Sequence, residues 1–215
     1  MYRLFIVDDH PIMRRGYAYL TQSEPDLVVC GGASNGLDAL QQIRALHPDL
    51  VICDLSLGPG MHGLELIKTL QAEDPDLPIV VVSMHDETLY ADRALKAGAR
   101  GYVMKSEADT ALIQALRRVL NGHLYLSPHA IDQMLGHVAR HGDAVCSSVL
   151  ASLSDRELEV FGHLGHGRTT QEIAASMLIS PKTVESYRTR IKEKLGVKHN
   201  VSLIRRAVQW VEQEA

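Results

Sequence analysis

Hydrophobic positions along the first 121 residues follow two alternating rhythms. Short continuous apolar runs, Leu4–Val7, Leu27–Cys30, Leu50–Cys53, Ile79–Val82 and Tyr102–Met104, have the length and composition of buried strands. Between them lie longer stretches with a three-to-four-residue apolar period: Pro11–Gln22, Gly36–Leu46, Gly63–Glu73, Glu87–Ala97 and Ala108–Asn121, which predict helices. In the second of these, Leu37, Leu40, Ile43 and Leu46 recur every third residue and are expected on one inward face. Five strand–helix repeats with continuously apolar strands predict an α/β fold, a parallel sheet covered by helices on both faces.

The pattern weakens after Gly122, where Pro128, Gly136 and Gly142 interrupt it and only a short helix around 131–138 is suggested. From Leu153 it becomes helical again, in short pieces with explicit start signals. Ser154-Asp155-Arg156-Glu157 and Thr169-Thr170-Gln171-Glu172 are capping boxes, opening helices to about Leu164 and Met177. Ser180 followed by Pro181 opens a third helix that Gly196 closes, and Asn200 is expected to cap a last one through about Val211. The brief turn 178–180 makes the middle pair a helix-turn-helix. The predicted organisation is an α/β domain over 1–122, a linker over 123–150 and a smaller all-α domain over 151–215.

Composition narrows the setting. No apolar run approaches a membrane span or a signal peptide, so a cytoplasmic protein is expected. The three cysteines, Cys30, Cys53 and Cys146, form no CxxC pair, and Cys30 and Cys53 are expected to be buried, inert thiols. Eleven histidines include the pairs His137/His141 and His163/His166, but no carboxylate or cysteine joins them at ligand spacing. The net charge of −4 is uneven: residues 1–125 carry 11 basic against 16 acidic side chains, whereas residues 182–198 carry 6 against 2. A basic strip on an acidic protein points to a nucleic-acid contact.

The chemistry-bearing residues sit at predicted strand ends: Asp8 and Asp9 after the first strand, Asp54 after the third, Ser83 after the fourth and Lys105 after the fifth. A parallel sheet brings all five to one edge. Clustered carboxylates repel unless a hard cation neutralises them, and Mg²⁺ suits an all-oxygen site. A carboxylate so held can attack a phosphoryl group and form an acyl phosphate, with Mg²⁺ and Lys105 offsetting charge on the transferred group.

The segments IVDDHP, VICDLSLGPGMHG, VVSMH and LKAGARGYVMKS resemble the receiver domain of two-component response regulators over its whole length. The resemblance implies a flavodoxin-like, doubly wound five-stranded sheet with Asp54 as phosphoacceptor and a sensor histidine kinase as phosphodonor. It implies Asp8 and Asp9 as the Mg²⁺ pair, with Asp9, Asp54 and the Ser56 carbonyl as ligands, Ser83 and Tyr102 as a switch pair, and Lys105 as the phosphate-contacting lysine. Two departures stand out. Pro59 and Gly63 lie one residue further from Asp54 than is usual, so the loop carries an extra residue, assigned to Gly58. Ser106 stands where many receivers have a proline, often cis, so no cis bond is expected there.

The segment LSDRELEVFGHLGHGRTTQEIAASMLISPKTVESYRTRIKEKLGV resembles the LuxR-type helix-turn-helix, and the two halves together resemble the NarL/FixJ class of transcription regulators. Thr170 and Gln171 replace the more usual Asn-Lys, a change expected to affect backbone contacts only. On the helix 181–195, Val184, Ile191 and Leu195 share an inward face, opposite Lys182, Glu185, Ser186, Thr189 and Lys192. Short polar residues can meet base edges and flanking cations phosphates. Matched to the motif, Glu185, Ser186 and Thr189 face bases, with Lys182, Thr183, Tyr187, Arg190 and Lys192 nearer phosphates of double-stranded promoter DNA. Val201, Ile204, Val208 and Val211 on the last helix are expected partly to pack inward and partly to pair two copies as a homodimer, driven by phosphorylation. RNA polymerase is a further candidate partner.

The expected protein is thus not an enzyme beyond its own phosphoryl transfer and dephosphorylation. An aspartate-based phosphohydrolase would carry a DxD pair after its first strand and a cap domain, and Asp8-Asp9-His10 is neither. The alternative within the same architecture is a regulator that binds DNA regardless of phosphorylation, its receiver serving for docking.

Overall fold

A computed structural model of the chain describes residues 1–57, 60–132, 150 and 152–214. The chain divides into two compact units, Met1–Val138 and Ala139–Ala215.

The first unit is a five-stranded, all-parallel sheet in the order β2-β1-β3-β4-β5. Its elements run β1 Tyr2–Val7, α1 Pro11–Gln22, β2 Leu27–Ala33, α2 Gly36–Leu46, β3 Leu50–Cys53, α3 Gly63–Glu73, β4 Ile79–Ser83, α4 Glu87–Ala97, β5 Gly101–Met104 and α5 Ala108–Leu120. The expected elements are all present, with β1 and β2 longer than the apolar runs alone suggest. Alternation along β1 sends Leu4 and Ile6 to the face covered by α1 and α5, where they join Ile52, Val82, Tyr17, Leu112 and Leu116 in one buried cluster. Phe5 points to the other face. There it closes with Leu46 over Gly31, whose Cβ would sit 2.7 Å from Leu46 Cδ1, so a larger residue there would make Leu46 or Phe5 shift.

Two expectations change. In α2 the inward residues are Gly36, Ala39 and Ile43, while Leu37 is exposed. An exact three-residue period drifts around a helix of 3.6 residues per turn, so four such positions cannot all face inward. Cys53 is buried, but Cys30 is half-exposed, because β2 is an edge strand. Cys146 and the helix expected around residues 131–138 fall wholly or mostly outside the described residues.

Chain leaving α5 stays on the first unit, although it falls within the stretch read as linker. Tyr125 pairs with β5 as an isolated bridge, its N–H donating to the Arg100 carbonyl and its carbonyl accepting from Tyr102. Ser127 Oγ donates to Glu87 Oε1 at 2.5 Å, and Ala130 is buried. This segment covers the open edge of β5, where unpaired backbone would otherwise face solvent.

The second unit holds α6 Asp155–Gly165, α7 Thr170–Ser176, α8 Pro181–Leu195 and α9 Asn200–Glu214. Both capping boxes form, at Ser154/Glu157 and Thr169/Glu172, and Ser180 caps α8 through the Thr183 N–H. Asn200 is the first residue of α9 rather than its cap: the helix opens on the His199 carbonyl. Leu158, Phe161, Ile173, Met177, Val184, Ile191, Leu195, Leu203 and Ala207 form the buried core, and Phe161 packs against Trp210 with ring centroids 5.4 Å apart.

Candidate functional site

Parallel pairing puts every strand's carboxyl end on one edge, and backbone bonds lock the first carboxylates side by side. Asp54 N–H donates to the Val7 carbonyl and Asp8 N–H to the Ala33 carbonyl. Lys105, entering a short 3-10 turn after β5, reaches back over them. Its Nζ lies 2.7 Å from Asp54 Oδ2, as an aligned hydrogen bond, and 2.7 Å from Asp8 Oδ2. All three side chains are almost fully buried. Asp9 completes the acidic edge at partial exposure.

The electrostatics follow from that burial. Desolvation pushes the Asp54 carboxyl up to about 6 against the opposing pull of the Lys105 ammonium. Burial alone would lower Lys105, but Asp54 and Asp8 outweigh it and hold the ammonium above its ordinary value. Tyr17 on α1 is pushed upward by burial and then by Asp8 and Asp54.

Two oxygens in this edge, Asp8 Oδ2 and Asp9 Oδ1, are buried yet accept no aligned hydrogen bond. Oxygen atoms of Asp8, Asp9 and Asp54, with a nitrogen of His10, lie within 4.8 Å of one another. Three carboxylates gathered so closely offer an all-oxygen donor set, which fits a hard divalent cation. Ser56 adjoins it, its N–H donating to Asp54 Oδ1 at 3.2 Å and its Oγ bonded to His85 Nε2 at 2.8 Å. The extra loop position, Gly58, lies outside the described residues, as does Pro59. The end of the loop is tightly built: a Cβ on Gly63 would stand 2.2 Å from the Asp54 carbonyl oxygen.

Ser83 and Tyr102 are both buried, with the Tyr102 ring turned into the domain. Its hydroxyl donates to the His85 carbonyl at 2.8 Å, and the His85 N–H reaches Ser83 Oγ at 3.3 Å. Burial drives the Tyr102 hydroxyl well above its ordinary value, against a hydrogen bond to Ser83. No cis peptide occurs among the described residues, Ser106 included.

Arg14, His10 and Tyr17 were not singled out by sequence. Arg14 Nη1 donates to the Asp8 carbonyl at 2.6 Å, and His10 Nδ1 lies 2.6 Å from Asp9 Oδ1. Only a basic residue one turn into the helix that follows the acidic pair could have signalled Arg14.

In the second unit, Val184, Ile191 and Leu195 of α8 face inward, and Lys182, Glu185, Ser186, Thr189 and Arg190 are exposed, with Thr183, Tyr187 and Lys192 half-exposed. Ser180, Lys182, Thr183, Ser186, Tyr187 and Arg190 line a polar concavity of about 390 Å³ at the start of the helix. Glu185 is not free. Its Oε1 accepts from Thr170 Oγ1 and from Arg188 Nη1, each at 2.8 Å, and Arg188 also donates to Thr170. The substitution at Thr170 therefore touches α8 itself, and not only backbone contacts. On α9, Leu203 and Ala207 pack inward while Val201 and Ile204 are exposed. No helix among the described residues is long and apolar enough to cross a membrane.

A doubly wound parallel sheet with an acidic edge and a lysine, together with a second unit whose described helices include a helix-turn-helix, defines a two-part signalling regulator. Residues 4–117 match the response regulator receiver domain, and residues 151–207 match the bacterial regulatory proteins of the luxR family. The chain belongs to the response regulators of the NarL/FixJ type, transcription factors with a LuxR-type DNA-binding domain. It is 31% identical to the oxygen regulatory protein NreC of Staphylococcus carnosus, over 96% of this chain and 97% of that one. It is 34% identical to the response regulator GacA of Pseudomonas aeruginosa, over 97% and 96%. Among solved structures, Salmonella typhimurium RcsB is similar at a TM-score of 0.73 and 26% identity, covering 97% of each chain. RcsB bound to promoter rprA in the presence of the phosphomimetic BeF3− is similar at a TM-score of 0.68 and 26% identity, covering 95% and 96%.

Proposed function

We propose that this regulator is switched by phosphorylation of Asp54, and that the modified form binds promoter DNA as a homodimer. The observation that carries the reading is the buried Asp8–Lys105–Asp54 contact, with the Asp9 carboxylate beside it. An oxygen of the ionised Asp54 attacks the phosphorus of a phosphohistidine on a sensor kinase. The P–N bond breaks, the imidazole leaves with the pair and takes up a proton, and an acyl phosphate remains. Lys105 stays beside the new group and offsets its charge. Asp8, Asp9, Asp54 and the Ser56 carbonyl are the residues that would hold Mg²⁺, which when bound supplies charge neutralisation on the phosphoryl oxygens.

Ser83, at the end of β4, supplies the hydroxyl that answers the new group, and Tyr102 shares its surroundings through His85. A hydroxyl drawn toward a phosphoryl group frees space that the ring can occupy, which makes the pair a two-state element. Tyr102 is also bonded through its backbone to Tyr125. The pocket is thereby connected to the chain that leaves the sheet. In the DNA-binding unit, Glu185, Ser186 and Thr189 face base edges, while Lys182, Thr183, Tyr187, Arg190 and Lys192 serve phosphates, in keeping with their full or partial exposure and with the concavity that Lys182, Thr183, Ser186, Tyr187 and Arg190 line. Val201 and Ile204 supply an apolar strip suited to pairing two copies. RNA polymerase is a further candidate partner.

The decisive experiment is phosphorylation with a small phosphodonor and Mg²⁺, read by intact-mass spectrometry. One acid-stable, base-labile phosphoryl group is expected, absent from Asp54→Ala and after chelation. Equal labelling of the Ala variant refutes the assignment.

A further inference from the structure

The three-way contact of Thr170, Glu185 and Arg188 is a closed arrangement. Thr170 Oγ1 gives its proton to Glu185 Oε1, and Arg188 Nη1 donates to both. The guanidinium is tucked in: the Arg188 side chain is 12% exposed and its Nε is buried, whereas the Glu185 side chain is 52% exposed. Arg188 is therefore aimed at Glu185 and not outward at a phosphate. One carboxylate oxygen of Glu185 is spoken for, which leaves Oε2 of this exposed side chain as the acceptor available to a base.

Resting on the reading of α8 as the DNA-reading helix, we infer that Thr170 and Arg188 are positioning residues that set which base Glu185 selects. Three physical effects converge on this. A carboxylate near phosphates is repelled, and the adjacent guanidinium offsets that repulsion without occupying the free oxygen. Holding the glutamate side chain in place before binding removes an ordering cost that would otherwise blur discrimination. A lone acceptor is satisfied by a base donor, the N4 amino group of cytosine or the N6 amino group of adenine, and is left unpaired opposite guanine or thymine edges. Thr170 sits on α7, a different helix from the reader, so sequence preference is set across the helix-turn-helix and not by α8 alone.

The competing role is a staple that merely joins α7 to α8. The full chain, activated with Mg²⁺ and beryllofluoride, is assayed for binding across a half-site library at two salt concentrations, beside Thr170→Val, Thr170→Ser and Glu185→Ala. Thr170→Val is expected to reduce discrimination at one base position per half-site by several-fold, on the order of the preference lost in Glu185→Ala. Its salt slope stays at the wild-type value, because no charge is removed. Thr170→Ser, which keeps the hydroxyl, retains the preference. In the Glu185→Ala background, Thr170→Val changes nothing further. Wild-type discrimination in Thr170→Val overturns the inference. So does a lower thermal midpoint with uniform weakening on every sequence, which is the signature of a staple. A wild-type chain that shows no sequence preference at all overturns instead the assignment of α8 as reader.

Discussion

Asp54→Asn removes a charge and keeps the shape, and in metal-free protein it should make the receiver more stable. Burial lifts the Asp54 carboxyl from an ordinary 3.8 to about 6, even with Lys105 bonded to it. An acid whose folded pKa is raised holds its proton more tightly when folded. Its ionised form therefore destabilises the fold above about pH 6, and that penalty shrinks as pH falls toward 4. That rise from 3.8 to about 6 corresponds to about 3 kcal/mol near pH 7.5 and about half that near pH 5. Asn keeps the volume, and Lys105 keeps Asp8 as an ionic partner at 2.7 Å, so the ammonium is not orphaned. The assay is urea unfolding of wild type and Asp54→Asn in chelator at both pH values. Adding Mg²⁺ should then raise the wild type more than the variant, since ligand binding to the folded state adds RT ln(1 + [L]/Kd). Equal midpoints near pH 7.5, or a gap that does not narrow on acidification, would falsify the electrostatic account.

Three further outcomes test other parts of the structure. Gly63→Ala should destabilise the first unit by about 1–3 kcal/mol in urea unfolding, because its Cβ would overlap the Asp54 carbonyl oxygen at 2.2 Å; wild-type stability would mean the loop relaxes freely. Ser83→Ala should still take up a phosphoryl group, yet lose most of the gain in dimerisation and DNA affinity, a gain of about 1–3 kcal/mol typical of allosteric coupling. Unchanged oligomer and affinity on phosphorylation of the wild type would instead favour a docking receiver with phosphorylation-independent DNA binding. Lys192→Ala should weaken all sequences about equally and lower the log–log salt slope by roughly 0.9. A changed base preference in that variant would mean α8 lies differently in the groove.

What sequence revealed and what it hid divide along the range of the interaction. Strands and helices of the two units were legible because their signals are local: continuous apolar runs and a helical period in the first, a Ser or Thr three residues before a Glu in the second. The acidic edge was legible for a different reason. In a parallel sheet the topology alone carries every strand end to one side, so Asp8, Asp54 and Lys105 converge without any knowledge of side-chain direction. Where a partner comes from elsewhere in the chain, no such shortcut exists. Nothing near Tyr125 announces that it will pair with β5, and a weak apolar pattern with glycines reads as linker because edge pairing needs backbone, not side chains. Leu37 was misplaced because a count of threes stands in for an angle of 100° only over two steps. Thr170 shows the limit most clearly. Its departure from the usual family residue was visible, but its consequence depends on a hydroxyl reaching 15 positions along the chain to a rotamer of Glu185. Arg188, three residues beyond Glu185, was the one local hint, since that spacing puts both on one face of a helix. A motif match supplies the identity of the readers. Which oxygen of a reader is left free to meet a base is decided by neighbours the motif does not contain.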